Sequence, residues 1–263
     1  MIVGERVPTA VEAYYAALDA GDFESAAEQL GEDVLIALPP RGGHEVDPRQ
    51  LARGRAGARD LLVGRGPSGV RHQVILCMGQ ERSWYVEGVT RDPADDRPRR
   101  TFTGHFSLGE DGLIARYLAF ACEPAVSMPP RADSARPADA ASVVDAYFHA
   151  MDAADFEAAA DCFSDDVLYC HPPYRHTNIT SNLRHDFVGR AQLLSGFAAR
   201  GKASFTHRVL ELVQRGPNAL FELVVENLPG GGTGSAVCSL SLNDQGRIHR
   251  YVAFYTEPGV EWM

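Results

Sequence analysis

The chain is written twice. The run VEAYYAALDAGDFESAAEQLGEDVLIALPP, from Val11 to Pro40, returns as VDAYFHAMDAADFEAAADCFSDDVLYCHPP, from Val144 to Pro173, without a gap and with about half the positions identical. The correspondence continues downstream. Gly54-Arg55-Ala56 matches Gly189-Arg190-Ala191, His72 matches His207, and Glu87 matches Glu222. Arg116-Tyr117 matches Arg250-Tyr251, and Glu123-Pro124 matches Glu257-Pro258. One small insertion follows the second Pro-Pro. Two copies in 263 residues leave each the size of a small domain. The joint, SMPPRADSARPADA from Ser127 to Ala140, has the Pro-, Ala- and Ser-rich composition of a linker. The expected organisation is a first domain over 1–127, a linker over 128–137 and a second domain over 138–263.

Each copy opens with a helical pattern. Val7, Val11, Tyr14 and Leu18 recur at helical spacing, and Val144, Tyr147, Phe148 and Met151 echo that face. Gly21-Asp22 interrupts the first helix, and Asp22 is placed to cap a short second one over Phe23–Leu30. A strand over Asp33–Leu38 ends at Pro39-Pro40, and a third helix is predicted near Ala56–Val63. VRHQVILCM, RSWYVEGVT, RTFTGHFSL and LIARYLAFA then read as strands separated by turn signals such as Gly79-Gln80, Asp95-Asp96 and Asp111-Gly112. Three helices followed by antiparallel strands predict an α+β fold with the helices on one face of the sheet.

Composition narrows the function classes. A net charge of −10 argues against nucleic acid and anionic membrane surfaces as partners, because both require basic patches. The five cysteines are scattered and form no CxxC pair, so neither a disulfide framework nor a structural zinc site is expected. The N-terminus lacks the pattern of a signal peptide, and no apolar run approaches the ~20 residues of a membrane span. A cytoplasmic location is therefore expected. PGGGTGS, Pro229 to Ser235, lacks the lysine and helix of a phosphate loop and reads as a hairpin turn. There is no GxSxG and no dinucleotide fingerprint. His171, His176 and His185 match no standard metal-ligand spacing.

The phrases AYYAALDAGDFESAAEQLGEDV, GRA and GLIARYLAF resemble the nuclear-transport-factor-2-like superfamily, including its SnoaL-like and ketosteroid-isomerase-like members. The resemblance runs over nearly the whole chain, twice. It implies two tandem cone-shaped α+β domains, each with three helices on a curved antiparallel sheet around an apolar pocket, docked through their sheets as an internal pseudo-dimer. Homo-oligomerisation beyond that pair stays open. The resemblance also implies a carboxylate base just before the proline that ends the first strand. Leu38 and His171 stand there instead. The oxyanion-donating tyrosine of the first helix falls on Tyr14 and Tyr147. The acids of the penultimate and last strands are replaced, near Gly104 and Cys238 and near Ala119 and Ala253.

Leucine cannot move a proton, so the first copy is expected to be the degenerate one, with Tyr14 either lining its pocket or filling core. In the second copy, His171 is expected to titrate near neutrality and serve as the base, with Tyr147 donating a hydrogen bond to an enolate or alkoxide. The alternative for His171 is a hydrogen bond to nearby backbone. Tyr169, His207, Glu222 and Tyr251 complete the expected substrate pocket. Glu222, on a strand face with Leu220 and Val224, is either an acid of raised pKa or the ion-pair partner of an arginine such as Arg116 or Arg250. His72 and His207 line the pocket or the contact between sheets. The expected activity is cofactor-free acid/base catalysis on a hydrophobic small molecule, as a cyclase, isomerase, dehydratase or related lyase. An Ala- and Arg-rich composition suggests a GC-rich bacterial genome, and the family resemblance implies a place in natural-product biosynthesis. The rival expectation is a non-catalytic binding or scaffold protein of the same fold.

Overall fold

The computed structural model describes residues 3–39, 50–128, 138–173, 176–178, 184–257 and 259–260. Residues 129–137 of the expected linker, Pro40–Gly42 and the Tyr174-Arg175 pair of the histidine-bearing loop lie outside them. The chain divides into two compact units, with the division falling between Val126 and Ser127.

The first unit runs β1 (Val3–Gly4), α1 (Thr9–Ala20), α2 (Phe23–Glu28), β2 (Leu30–Leu38), β3 (Gln50–Arg53), α3 (Gly54–Arg65), β4 (Arg71–Gln80), β5 (Ser83–Arg91), β6 (Pro98–Leu108) and β7 (Ile114–Cys122). The second runs α4 (Ala140–Ala153), α5 (Phe156–Asp161), β8 (Phe163–His171), β9 (His185–Val188), α6 (Arg190–Arg200), β10 (Thr206–Arg215), β11 (Asn218–Glu226), β12 (Gly234–Leu242) and β13 (Ile248–Thr256). The sheets are ordered β1-β4-β5-β6-β7-β2-β3 and β10-β11-β12-β13-β8-β9.

The sheets are mixed rather than antiparallel. β2 runs parallel to β7, and β8 runs parallel to β13. A parallel pair needs a long crossover, and here the remainder of each unit supplies it. β2 and β8 thereby lie beside the last strands of their units, β7 and β13, with Ile36 opposite Tyr117 and Tyr169 opposite Tyr251. The short strands β3 and β9 were missed in sequence because each is only four residues long and largely exposed.

Local chemistry sets the helix ends. Asp139 caps α4 by accepting from the Ala141 amide at 3.2 Å. Asp22 and Asp155 cap α2 and α5 through Ser25 and Ala158 at 3.0 and 3.1 Å. α1 stops at Gly21, whose φ of 71° is the left-handed geometry glycine adopts without strain. α4 stops at Ala154 in the same geometry, φ 61°, but with a Cβ. The buried stripe of α4, Val144, Tyr147, Phe148 and Met151, packs on Phe163, Phe197 and Phe221. Each such large apolar side chain contributes about 1.5–3 kcal/mol on burial.

A bulge lies at the same place in each unit, between Val74 and Leu76 and between Val209 and Glu211. In β10 it shifts the inward positions from odd to even numbers, so that His207 and Val209 face the helices before it and Leu212 after it. No described helix is long and apolar enough to cross a membrane.

Candidate active site

In the second unit a cavity opens between α4, the end of α6 and the inner face of the sheet. Its empty volume is about 610 Å³, mouth included. Five of the residues singled out in sequence line it: Tyr147 from α4, Tyr169 and His171 from β8, His207 from β10 and Tyr251 from β13. Glu222 does not. Its strand neighbours Phe221 and Leu223 belong to the core beneath the helices, so alternation turns the fully buried Glu222 to the opposite face of the sheet. Tyr14 lines a separate cavity, within the first unit.

The tyrosines form a connected group. The Tyr147 and Tyr169 hydroxyls are hydrogen-bonded at 3.1 Å, and the Tyr169 ring stacks on Tyr251 with centroids 5.0 Å apart. The parallel register of β8 and β13 produces that stack by setting the two residues side by side. Tyr251 donates to the Cys238 sulfur at 3.3 Å, and burial pushes the Cys238 thiol up to about 12, so it stays protonated.

His171 behaves differently from the expectation. Its Nδ1 donates to the Pro172 carbonyl at 2.7 Å, leaving Nε2 as the ring acceptor. Burial in the pocket wall pulls its pKa down to about 3. The positive charge of Arg200 and the neighbouring His185 and His207 push the same way, against the opposing pull of the Pro172 carbonyl. His171 is therefore a neutral imidazole at every physiological pH, and a weak base.

The stronger constellation was not seen in sequence. Asp152, in the last turn of α4, accepts from His207 twice. The His207 amide meets Oδ2 at 3.0 Å and the ring Nδ1 meets Oδ1 at 2.6 Å. A carboxylate at a helix C-terminus opposes the helix dipole by about 0.3–1 kcal/mol, and these two bonds hold it there. They fix the tautomer as Nδ1–H and leave Nε2 as the acceptor on a ring that lines the pocket. Phe148 stacks on that ring at 4.7 Å. Burial lowers the His207 pKa; Asp152 opposes the shift and Arg200 adds to it. Arg200, the last residue of α6, is 4% exposed, lines the cavity and lies 5.2 Å over the Phe205 ring. No carboxylate lines the pocket among the described residues.

The first unit repeats part of this arrangement. Asp19 holds His72 through its amide at 2.8 Å and its Nδ1 at 2.5 Å. The sequence did carry the signal: LDA and MDA share the aspartate at one repeat position, as His72 and His207 share another. What was missing was the proximity of positions more than fifty residues apart.

His176 turns to the Glu257 carboxylate at 3.0 Å. Among the described residues no group of three His, Cys, Asp or Glu side chains is placed to hold a metal.

Each unit sets helices over one face of a mixed sheet with a pocket between helices and sheet, the architecture of the nuclear-transport-factor-2-like class, here present twice. The chain belongs to the SnoaL-like family: the SnoaL-like domain matches it over residues 11–117 and again over 144–255. Among the solved structures similar to part of it, three each cover less than half of the chain. One is an NTF-2 like protein of unknown function from Burkholderia xenovorans, with 18% identity, 46% of this chain and 86% of that chain covered, and a TM-score of 0.37. One from Kribbella flavida, provisionally named a ketosteroid isomerase, has 22% identity, coverage of 46% and 81%, and a TM-score of 0.36. One from Sinorhizobium meliloti, provisionally named a polyketide cyclase, has 16% identity, coverage of 43% and 95%, and a TM-score of 0.33. No curated protein matches the chain.

Proposed function

We propose that the second unit is a cofactor-independent acid/base catalyst that moves a proton next to a carbonyl of an apolar small molecule, with His207 as the base. The observation that carries this reading is the 2.6 Å bond between Asp152 and Nδ1 of a histidine whose other nitrogen serves a hydroxyl-lined pocket. Neutral His207 accepts the substrate proton on Nε2, and Asp152 stabilises the imidazolium that forms. The charge that develops on the carbonyl oxygen is met by a tyrosine hydroxyl of the Tyr147–Tyr169 pair and by the Arg200 guanidinium. His207 then returns the proton at another atom. His171, neutral and fixed by Pro172, orients substrate through Nε2 rather than carrying the proton.

Isomerisation, dehydration and ring closure all begin with this step. Such chemistry suits a cytoplasmic enzyme of bacterial natural-product biosynthesis. The test is proton exchange. In D₂O, a panel of cyclic and aromatic ketones is followed by NMR for deuterium entering beside the carbonyl. The reading requires exchange by the intact chain and its loss in His207→Gln. Ketones that bind without exchanging would favour the second reading, a non-catalytic binder, to which the weak basicity of His171 points.

A further inference from the structure

The two units differ beside their pockets by a pair of replacements that act together. In the first unit, Glu123 follows β7 and pairs with Arg100 at 3.1 Å. Its repeat counterpart is Glu257, which follows β13. The ladders set Thr101 opposite Cys122 and Ser235 opposite Thr256, so Gly234 stands in the place of Arg100. The residue two positions before the glutamate changes as well, from Ala121 to Tyr255.

The two changes are coupled. A Cβ on Gly234 would overlap the Tyr255 ring, so the tyrosine lies where the arginine side chain would begin. Without the arginine, Glu257 is held by hydrogen bonds of another kind. The Tyr255 hydroxyl donates to Oε1 at 2.5 Å, and His176 Nε2 donates to both carboxylate oxygens at 3.0 and 3.1 Å. Tyr255 also lines the cavity of the second unit. Of the four described tyrosines there, Tyr147, Tyr169 and Tyr251 are at most 3% exposed, whereas Tyr255 is half-buried and so sits nearest solvent.

The direction of the bond to Glu257 decides what Tyr255 recognises. A phenol has one O–H and two acceptor lone pairs. Its hydrogen goes to the carboxylate, so toward a ligand the oxygen acts as an acceptor, and the negative charge behind it strengthens that role. Tyr147, Tyr169 and Arg200 supply donors for a carbonyl deeper in the pocket. A ligand matched to both ends has its carbonyl inside and a hydrogen-bond donor outside.

We propose that Tyr255, held by Glu257, determines specificity: the site selects ketones that carry a hydroxyl at the end nearest solvent. This rests on the reading of the pocket as a ketone site, but not on proton transfer.

The probes are 6-hydroxy-2-acetonaphthone, whose hydroxyl donates, and 6-methoxy-2-acetonaphthone, whose ether oxygen does not. Each is titrated into the full chain, and binding is read from the NMR signals of the His207 ring, which lines this pocket and not that of the first unit. The parent should bind the hydroxy probe about 10-fold more tightly, the scale of one hydrogen bond to a polarised acceptor. Tyr255→Phe should bring the two probes within about twofold of each other. Glu257→Gln should shrink the preference to about threefold, because an amide oxygen still accepts from Tyr255 but carries no charge. Equal affinities in the parent, or a preference that survives in Tyr255→Phe, overturn the proposal. Should Tyr255→Phe lose its native circular dichroism, Glu257→Gln decides, and an undiminished preference in it overturns the proposal. The result separates from the reaction itself. A preference without deuterium exchange would count against His207 as the base and leave Tyr255 in its role. Failure of both probes to bind would overturn the ketone reading of the pocket and this proposal with it.

Discussion

Asp152 and His207 are joined by two hydrogen bonds, to the backbone amide and to the ring, and Asp19 and His72 repeat both. A carboxylate that grips a histidine at two points fixes the ring's direction as well as its tautomer. For the proposed reaction, Asp152→Asn should therefore act through His207. Deuterium exchange should fall by about 10²–10⁴-fold, the usual range for a mispositioned acid/base group. Circular dichroism should remain native. Exchange within twofold of the parent would remove His207 from the mechanism.

The pH profile carries the sign of the shift on His207. The base works when neutral, and burial lowers its pKa, so activity should persist below pH 6.5, the ordinary histidine midpoint, and decline only in more acid solution. Arg200→Gln removes a charge that lowers both His207 and His171. It should move the acid limb of the profile, and the His207 ring titration followed by NMR, toward higher pH. A limb that stays put or moves down would exclude Arg200 from the electrostatics of the pocket.

His171 should make the protein sensitive to acid. Its pKa is about 3 in the folded state and about 6.5 when unfolded, so below pH 6.5 the unfolded chain binds the extra proton. The stability present above that pH is lost as pH falls toward 3, at a limiting slope of about 1.4 kcal/mol per pH unit. His171→Leu, which installs the residue found at Leu38, should flatten the urea-midpoint profile between pH 6 and 4. An unchanged slope would show that the imidazole is solvated.

Ala154 ends α4 in the left-handed conformation that Gly21 occupies at the end of α1. Ala154→Gly should stabilise the second unit by about 1 kcal/mol, because the strain of a Cβ there exceeds the added freedom of the unfolded chain. Denaturant unfolding measures it. A lower midpoint would mean that Ala154 packs well enough to offset the strain.

Much of the architecture was legible in the residues. The repeat, the helical stripes through Tyr14 and Tyr147, the Asp22 cap and the four long strands of each unit are local patterns, and local patterns follow from short-range sterics and periodicity. Tyr147, Tyr169, His171, His207 and Tyr251 line one cavity in the fold, whereas the sequence left open whether His171 and Tyr147 share a pocket and whether His207 faces it. Glu222 went to the other face by strand alternation, once the neighbouring core was known. What could not be read were quantities that depend on distant parts of the chain: the parallel seating of β8 against β13, the approach of Asp152 to His207 across 55 positions, and the surroundings of His171. A histidine's proton affinity is set by the solvent removed and the charges brought near, and both come from residues far away in sequence. The chain therefore specifies where the imidazoles stand in each element, while packing determines that His171 stays neutral and that, of the two histidines in this pocket, His207 is the one a carboxylate holds.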